Sequence, residues 1–297
     1  MKPRAFDYYA PTSLDEALAL LAHCGARARP LAGGQSLVQL MNMREVSPEI
    51  IVDLNRAPEL AYVRTAAGGG LVVGAMTRLQ HLATSAAVRG GNAAVTQAAN
   101  QVAFPAVRSR GTLGGNVAHA EPGAQLPLVL SVLDAQVTVA RQGARRNMLL
   151  AAVFGGARVN TLAPEELLVE VWIPPLALAA GYAICEFRRG HSGPPLVTVA
   201  TILELDDAGA IVTARMGVSG ASDVPLRLRE EESLLVGQTA SEATFASIAE
   251  HAAARAQRGD PVLAGVDLRR RAVRALLLRA LTDSAARATQ AERQEGL

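Results

Sequence analysis

Two glycine-containing stretches decide the fold of this chain, LAGGQSLVQLMNMR at 31–44 and RGTLGGNVAHAEP at 110–122. Each places a Gly-Gly pair beside a small hydroxyl residue, Ser36 in the first stretch and Thr112 in the second. A glycine turn can adopt positive φ and point successive backbone N–H groups into one concavity, which suits phosphate oxygens. Two such turns therefore predict a diphosphate held between two subdomains, as in a bound dinucleotide.

The expected dinucleotide site differs from the two commonest phosphate-binding loops. Neither stretch contains the GxGxxG or the GxxxxGK[ST] pattern. Lys2 is the only lysine in the chain, but a lysine is not required. Charge-assisted hydrogen bonds from amides and hydroxyls are worth about 1.5–3 kcal/mol each, so four to six of them hold a diphosphate tightly.

Composition places the chain among soluble globular proteins. It has 297 residues, of which 50% are hydrophobic, and a formal net charge of +2. Aromatic residues make up only 3% and basic residues are interspersed with acidic ones, so a nucleic-acid surface is not expected. The longest apolar runs are shorter than the roughly 20 residues of a membrane span. We expect no export signal and a cytoplasmic location.

The chain offers no metal or catalytic motif. Cys24 and Cys185 stand alone in the sequence, and the five histidines show no ligand spacing. These residues exclude an iron–sulfur cluster and a structural zinc site in this chain. No nucleophile and base pair is apparent either, so we assign no catalytic residue.

The hydrophobic patterns predict three segments. Residues 1–55 have an α-β-turn-α-β pattern, and residues 56–175 combine a hairpin at 61–74 with helices and further strands. Pro174-Pro175 marks a boundary, because proline neither continues a helix nor donates to a sheet. The part that follows, 176–297, is predicted to be α+β, with strands at 181–188, 196–205 and 211–218 and helices at 229–235, 241–256 and 268–281.

The two glycine stretches resemble the two FAD motifs of a known family, the FAD-binding medium subunits of molybdenum hydroxylases of carbon monoxide dehydrogenase and xanthine dehydrogenase type. The matching segments are Ala32-Gly33-Gly34-Gln35-Ser36 and Thr112-Leu113-Gly114-Gly115-Asn116, and the resemblance covers essentially the whole chain. It implies an α+β fold. A vanillyl-alcohol-oxidase-type (PCMH) FAD-binding domain, made of subdomains 1–55 and 56–175, precedes a C-terminal domain at 176–297 with a three-stranded antiparallel sheet and three helices.

The resemblance also implies a set of FAD contacts, in which both glycine loops wrap the pyrophosphate by backbone amides and a leucine lies against the flavin ring. The implied cofactor-binding residues are Ala32, Gly33, Gly34, Gln35, Ser36, Thr112, Gly114, Gly115, Asn116, Glu121, Gln125, Leu168 and Tyr182. The chain departs from the family at three positions. Gln125 replaces an aspartate near the ribose, Glu121 stands where relatives often have aspartate, and Ile184 replaces a lysine near the ring. Without that lysine we expect a lower flavin potential.

The implied function is electron transfer in a complex. Electrons extracted at a molybdenum-pterin centre on a large subunit pass through two [2Fe–2S] clusters on a small subunit to FAD here, and then to an external acceptor. We expect a dimer of such heterotrimers. Two alternatives remain open: a self-sufficient flavin oxidase or reductase of the same cofactor fold, with His119 as the candidate for covalent flavin attachment, and an assembly subunit that has lost FAD.

Overall fold

The computed structural model describes residues 2–190, 193–257 and 264–295. One of the five histidines, His191, lies outside these ranges. No helix within them is both long and apolar enough to cross a bilayer.

The first unit is a small parallel sheet packed on a helix. Its strands lie in the order β1-β3-β2, and both β1 and β2 run parallel to the central strand β3. The elements are β1 (Asp7–Tyr9), α1 (Leu14–Cys24), β2 (Ala28–Leu31), α2 (Leu37–Met43) and β3 (Ile50–Asp53). Ser13 is the N-cap of helix α1, and its hydroxyl accepts the N–H of Glu16 at 3.2 Å. The buried face of α1 covers the sheet.

The second unit is a five-stranded antiparallel sheet in the order β4-β5-β10-β6-β7. Its strands are β4 (Val63–Thr65), β5 (Leu71–Gly74), β6 (Gln136–Arg141), β7 (Ala144–Leu149) and β10 (Leu167–Ile173), and a small hairpin adds β8 (Phe154–Gly156) and β9 (Val159–Asn160). The helices are α3 (Leu79–Thr84), α4 (Ala86–Gly91), α5 (Ala93–Gln101), α6 (Pro105–Arg108), α7 (Leu113–His119) and α8 (Gln125–Val132).

The third unit is an antiparallel sheet backed by helices. Its strands are β11 (Gly181–Phe187), β12 (Val197–Leu205), β13 (Ile211–Ser219) and β14 (Leu226–Arg227), and its helices are α9 (Arg229–Leu235), α10 (Glu242–Ala254) and α11 (Val266–Glu295). The sheet therefore has one more strand than the three that were predicted, namely β14. Leu226 and Arg227 pair with Val218 and Gly217 of β13, and two residues are too short a run to carry a hydrophobic pattern.

Helix α8 joins the second and third units. All eight of its residues are buried. The buried side chains of Thr198 and Ser219 on the third sheet donate to the carbonyls of Gly123 and Ala124, just before the helix, at 2.9 and 3.2 Å. Helix α7, which carries the second glycine pair, lies directly upstream, so the third unit supports the second glycine stretch.

Candidate cofactor-binding site

The first glycine stretch forms a turn with free amides. Gly34 has φ of +74°, a value that glycine adopts without strain. Within the described residues, the backbone N–H groups of Gly34, Gln35 and Ser36 donate to no protein acceptor. Ser36 occupies the N-cap position of α2, yet its hydroxyl does not cap the helix. The turn therefore leaves three amides and a hydroxyl without a partner in the described protein, and unpaired amides in a glycine turn can bind an anion.

The two glycine stretches lie in direct contact. A Cβ on Gly33 would lie 2.3 Å from the carbonyl oxygen of Arg110 and 2.8 Å from the Cα of Gly111. A Cβ on Gly115 would lie 3.4 Å from the Cβ of Ala32. Glycine at position 33 thus lets the two backbones meet. The structure brings the two motifs together as the sequence predicts.

The second glycine pair does not offer free amides. The N–H of Gly114 donates to the Ala75 carbonyl at 2.8 Å, and the N–H of Gly115 donates to the Thr112 hydroxyl at 3.1 Å. The N–H of Asn116 donates to the Thr112 carbonyl at 3.0 Å. The amides of the second pair are therefore used within the protein in this structure, and their contact with a pyrophosphate stays a prediction. Its glycines serve close packing, since a Cβ on Gly114 would lie 2.6 Å from that of Ala75.

What the second stretch offers is the carboxamide of Asn116. Its Oδ1 atom is buried and has no hydrogen-bond partner within the described part of the chain. Buried polar atoms are almost always paired, so an orphan acceptor indicates a missing donor. A cofactor hydroxyl is such a donor, while the amides of the first turn match phosphate oxygens. The two stretches together offer unpaired donors for an anion and an unpaired acceptor for a hydroxyl group.

Two further side chains, which the sequence did not reveal, connect the stretches. Asn55 donates from Nδ2 to the Ala32 carbonyl at 2.8 Å. Arg78 donates from Nη2 to Asn55 Oδ1 at 2.7 Å and from Nη1 to the Arg110 carbonyl at 2.5 Å. Burial lowers the pKa of Arg78 and the charge of Arg110 lowers it further, while Asp53 acts in the opposite direction. The only signal in the sequence is that Asn55 follows the buried strand β3 by two residues.

Glu121 is held in an ion pair at the end of α7. Its Oε2 accepts from Arg158 Nε at 2.8 Å and lies 3.7 Å from His119 Nε2. Burial lowers the pKa of His119, and the charge of Glu121 opposes that shift. Its contacts thus place Glu121 beside Arg158 and His119.

Gln125 belongs to a network that links α5 and α8 to β11. Its Nε2 donates to Glu186 Oε2 at 2.8 Å and to the Gln101 carbonyl at 3.1 Å. Arg188 donates to the same carbonyl at 2.9 Å and to Glu186 Oε1 at 2.6 Å. Ile184 is 5% exposed in the core beside this network. A lysine at position 184 would place a charge in this core, which is costly. The expectation that the flavin potential is lower than in relatives with that lysine stays a prediction.

Leu168 and Tyr182 lie on neighbouring sheets. Leu168 is 4% exposed in β10 and faces the large core of the second unit. Tyr182 is half-buried in β11, where the guanidinium of Arg287 on α11 lies 5.3 Å from its ring centroid and also donates to its carbonyl. Tyr182 therefore anchors α11 to the third sheet. The described residues contain no group of three or more possible metal ligands.

Two family models account for nearly the whole chain. Residues 4–176 match the FAD binding domain in molybdopterin dehydrogenase, and residues 182–284 match the CO dehydrogenase flavoprotein C-terminal domain. The two matches meet near the predicted proline boundary.

Two curated relatives are similar along nearly their full length. The chain is 37% identical to the 6-hydroxypseudooxynicotine dehydrogenase complex subunit alpha of Paenarthrobacter nicotinovorans, over 97% of both chains. It is 30% identical to the carbon monoxide dehydrogenase medium chain of Hydrogenophaga pseudoflava, over 97% of this chain and 99% of that one.

Solved structures agree with this similarity. The structure of carbon monoxide dehydrogenase from Hydrogenophaga pseudoflava superposes with a TM-score of 0.92 at 30% identity, covering 97% of this chain and 99% of that one. Quinoline 2-oxidoreductase from Pseudomonas putida 86 superposes with a TM-score of 0.92 at 33% identity, with the same coverage. These matches confirm the fold that the two glycine stretches imply.

Proposed function

Because this chain belongs to the family of FAD-binding medium subunits of the molybdenum hydroxylases, we propose that it relays electrons within a three-subunit dehydrogenase. In this proposal it accepts electrons from [2Fe–2S] clusters of a small subunit and passes them to an external acceptor. A large subunit carries the molybdenum-pterin centre, and two heterotrimers pair into a dimer in the cytoplasm. The observation that carries the proposal is the contact between the two glycine stretches, with unused donors on one and an unused acceptor on the other.

The residues proposed to hold FAD differ in the part of the cofactor that they would contact. Bound FAD supplies the capacity to take up electrons singly and release them in pairs. The amides of Gly34, Gln35 and Ser36 and the Ser36 hydroxyl are proposed to bind the diphosphate, and Asn116 Oδ1 to accept from a sugar hydroxyl. Gly33 and the second glycine pair keep the backbones close. The other proposed contacts rest on the resemblance alone: Ala32, Gly33, Thr112, Gly114, Gly115, Glu121, Gln125, Leu168 and Tyr182.

The iron–sulfur clusters are proposed to lie on another chain because of the cysteines. A [2Fe–2S] cluster is held by four thiolates, or by two thiolates and two histidines. The chain has two cysteines, and they lie in different cores: Cys24 packs under the first sheet and Cys185 in the third unit. Neither buried thiol is placed to share a cluster with the other.

We also propose the division into domains at 1–55, 56–175 and 176–297. Each segment contains one of the three main sheets, with strands at 7–53, 63–173 and 181–227. The last segment keeps the three predicted helices but carries four strands.

The experiment that tests the proposed function is purification of the tagged chain from its native host. We expect a complex that contains molybdenum, iron and FAD, with the flavin released from the chain on a denaturing gel. A lone flavoprotein that turns over a substrate would contradict the proposal and support a self-sufficient oxidase or reductase. A complex without flavin absorbance would support an assembly subunit instead.

We predict that Asn116→Ala raises the FAD dissociation constant about tenfold, the cost of one lost hydrogen bond in a buried site. Because Oδ1 has no partner in the described chain, its removal should leave the melting temperature of the FAD-free protein unchanged or higher. Fluorescence titration and thermal unfolding measure the two quantities.

The matched control is Asn160→Ala. Asn160 donates to the Ala118 carbonyl at 2.8 Å and accepts from the Leu162 N–H at 3.1 Å. Its loss should lower the melting temperature and spare FAD affinity. An Asn116→Ala variant that loses stability without losing FAD affinity would remove Asn116 from the site.

A further inference from the structure

We propose that Arg78 is a positioning residue that, through Asn55, holds the two glycine stretches at the separation at which they bind FAD. This inference rests on the proposed site. It adds a role for two residues that contact the motifs but belong to neither.

The backbone of Arg78 is paired with the second stretch. Residues 78 and 112 form an isolated antiparallel bridge. The N–H of Leu79 donates to the Gly111 carbonyl at 2.9 Å, and the N–H of Leu113 donates to the Thr77 carbonyl at 2.9 Å. The backbone of Arg78 is therefore fixed to the second stretch.

The side chain then reaches the first stretch in two steps. Nη2 of Arg78 donates to Asn55 Oδ1 at 2.7 Å, and Asn55 Nδ2 donates to the Ala32 carbonyl at 2.8 Å. Asn55 is itself fixed, because its N–H donates to Asp53 Oδ1 at 2.9 Å. The result is a continuous chain of hydrogen bonds from the second stretch to the residue just before the first glycine pair.

The other guanidinium nitrogen acts at the contact itself. Nη1 of Arg78 donates to the carbonyl of Arg110, the same oxygen that a Cβ on Gly33 would meet at 2.3 Å. That donation holds the carbonyl where it limits how closely the first stretch can approach. A planar guanidinium can make both bonds at once, whereas an ammonium group has no fixed fork to do so.

Arg78 and Arg110 are positive and Asp53 is negative, so the charges that act at Arg78 sum to a positive value, which favours an anionic ligand. Arg78 and Arg110 lie close enough for the charge of one to affect the other. A chain with one lysine thus places two arginines where the two motifs meet. A diphosphate nearby would offset their mutual repulsion, so binding and the hydrogen-bond chain reinforce each other.

The test measures FAD affinity of the full chain for Arg78→Met, Arg78→Lys, Asn55→Ala and the Arg78→Met/Asn55→Ala pair, by fluorescence titration after FAD removal. Arg64→Met is the matched control, since Arg64 lies in the same unit, stacks on Tyr62 at 4.2 Å and is 65% exposed. The melting temperature of each FAD-free variant is measured alongside.

We expect each single loss to raise the dissociation constant about tenfold, and the double variant to be no worse than about tenfold, because both residues act in one chain. Arg78→Lys should bind FAD clearly more weakly than the parent despite its charge. Arg64→Met should bind as the parent does.

Three results would overturn the inference: parental affinity in Arg78→Met, parental affinity in Arg78→Lys, or fully additive losses in the pair. If Arg78→Met melts far below the parent, the FAD affinity of Arg78→Lys decides instead, because lysine preserves the positive charge and the aliphatic part of the side chain. The proposed site is judged separately by Asn116→Ala. If that variant weakens FAD binding and Arg78→Met does not, only the role of Arg78 fails.

Discussion

Gly33→Ala is expected to raise the FAD dissociation constant about 10- to 100-fold. The new methyl group would lie 2.3 Å from the Arg110 carbonyl oxygen, far inside van der Waals contact. The obstacle is backbone, so no flexible side chain can move aside. Forcing an extra carbon into a packed contact costs about 1–3 kcal/mol, and each 1.4 kcal/mol changes a dissociation constant about tenfold. The cheapest relief is to separate the two stretches, which divides the phosphate donors from the sugar acceptor.

The control for this prediction is Gly90→Ala. A Cβ at position 90 would meet no atom within 4 Å in the part of the chain that the structure describes, and the residue lies in helix α4. Alanine there should leave FAD affinity unchanged and stabilise the helix slightly, by about 0.5–1 kcal/mol. Fluorescence titration of the FAD-free protein measures both variants. Parental affinity in Gly33→Ala would show that the contact between the stretches plays no part in cofactor binding.

The sequence predicted that the two stretches share a ligand, but it could not predict which of their groups are available to bind it. Their glycine pairs look alike in sequence, and only the fold distinguishes them. The amides after Gly33 remain unpaired within the described residues, in the segment between the end of β2 and the start of α2. Those of Gly114 and Gly115 are used by Ala75 and Thr112. Which amide is free depends on a segment distant in sequence.

Other features lacked a local pattern altogether. Strand β7 is an edge strand whose residues are almost all exposed, so it shows no alternation of buried and exposed positions. The run at 126–133 is a buried helix, and a continuous apolar run fits a buried strand equally well. By contrast, the hairpin around 61–74 was predicted correctly, because turn glycines delimit its two strands. Turn residues in the sequence therefore predicted some elements, while strand β7 is defined by its pairing with β6 and helix α8 by contacts with segments distant in sequence.

Among the variants proposed here, Gly181→Ala is expected to lower stability most, because it disrupts the packing of α11 on the third sheet. A Cβ at position 181 would lie 1.8 Å from the carbonyl oxygen of Ser284 and 2.6 Å from the N of Ala288. Both are backbone atoms of a helix, so relief requires α11 to move off β11. We expect a loss of about 3–5 kcal/mol, the range of severe core changes. The adjacent contact of Arg287 with Tyr182 should be lost as well.

Thermal unfolding and limited proteolysis together test this prediction. The variant should melt at a lower temperature, and cleavage should begin in the third unit, since α11 covers β11 and β12 there. Gly190→Ala is the control, because a Cβ at that position has open space among the described residues. FAD affinity at low temperature should change less in Gly181→Ala than in Gly33→Ala, because the first glycine stretch lies in another unit. Unchanged melting in Gly181→Ala would mean that α11 does not approach β11 as closely as the backbone contact requires.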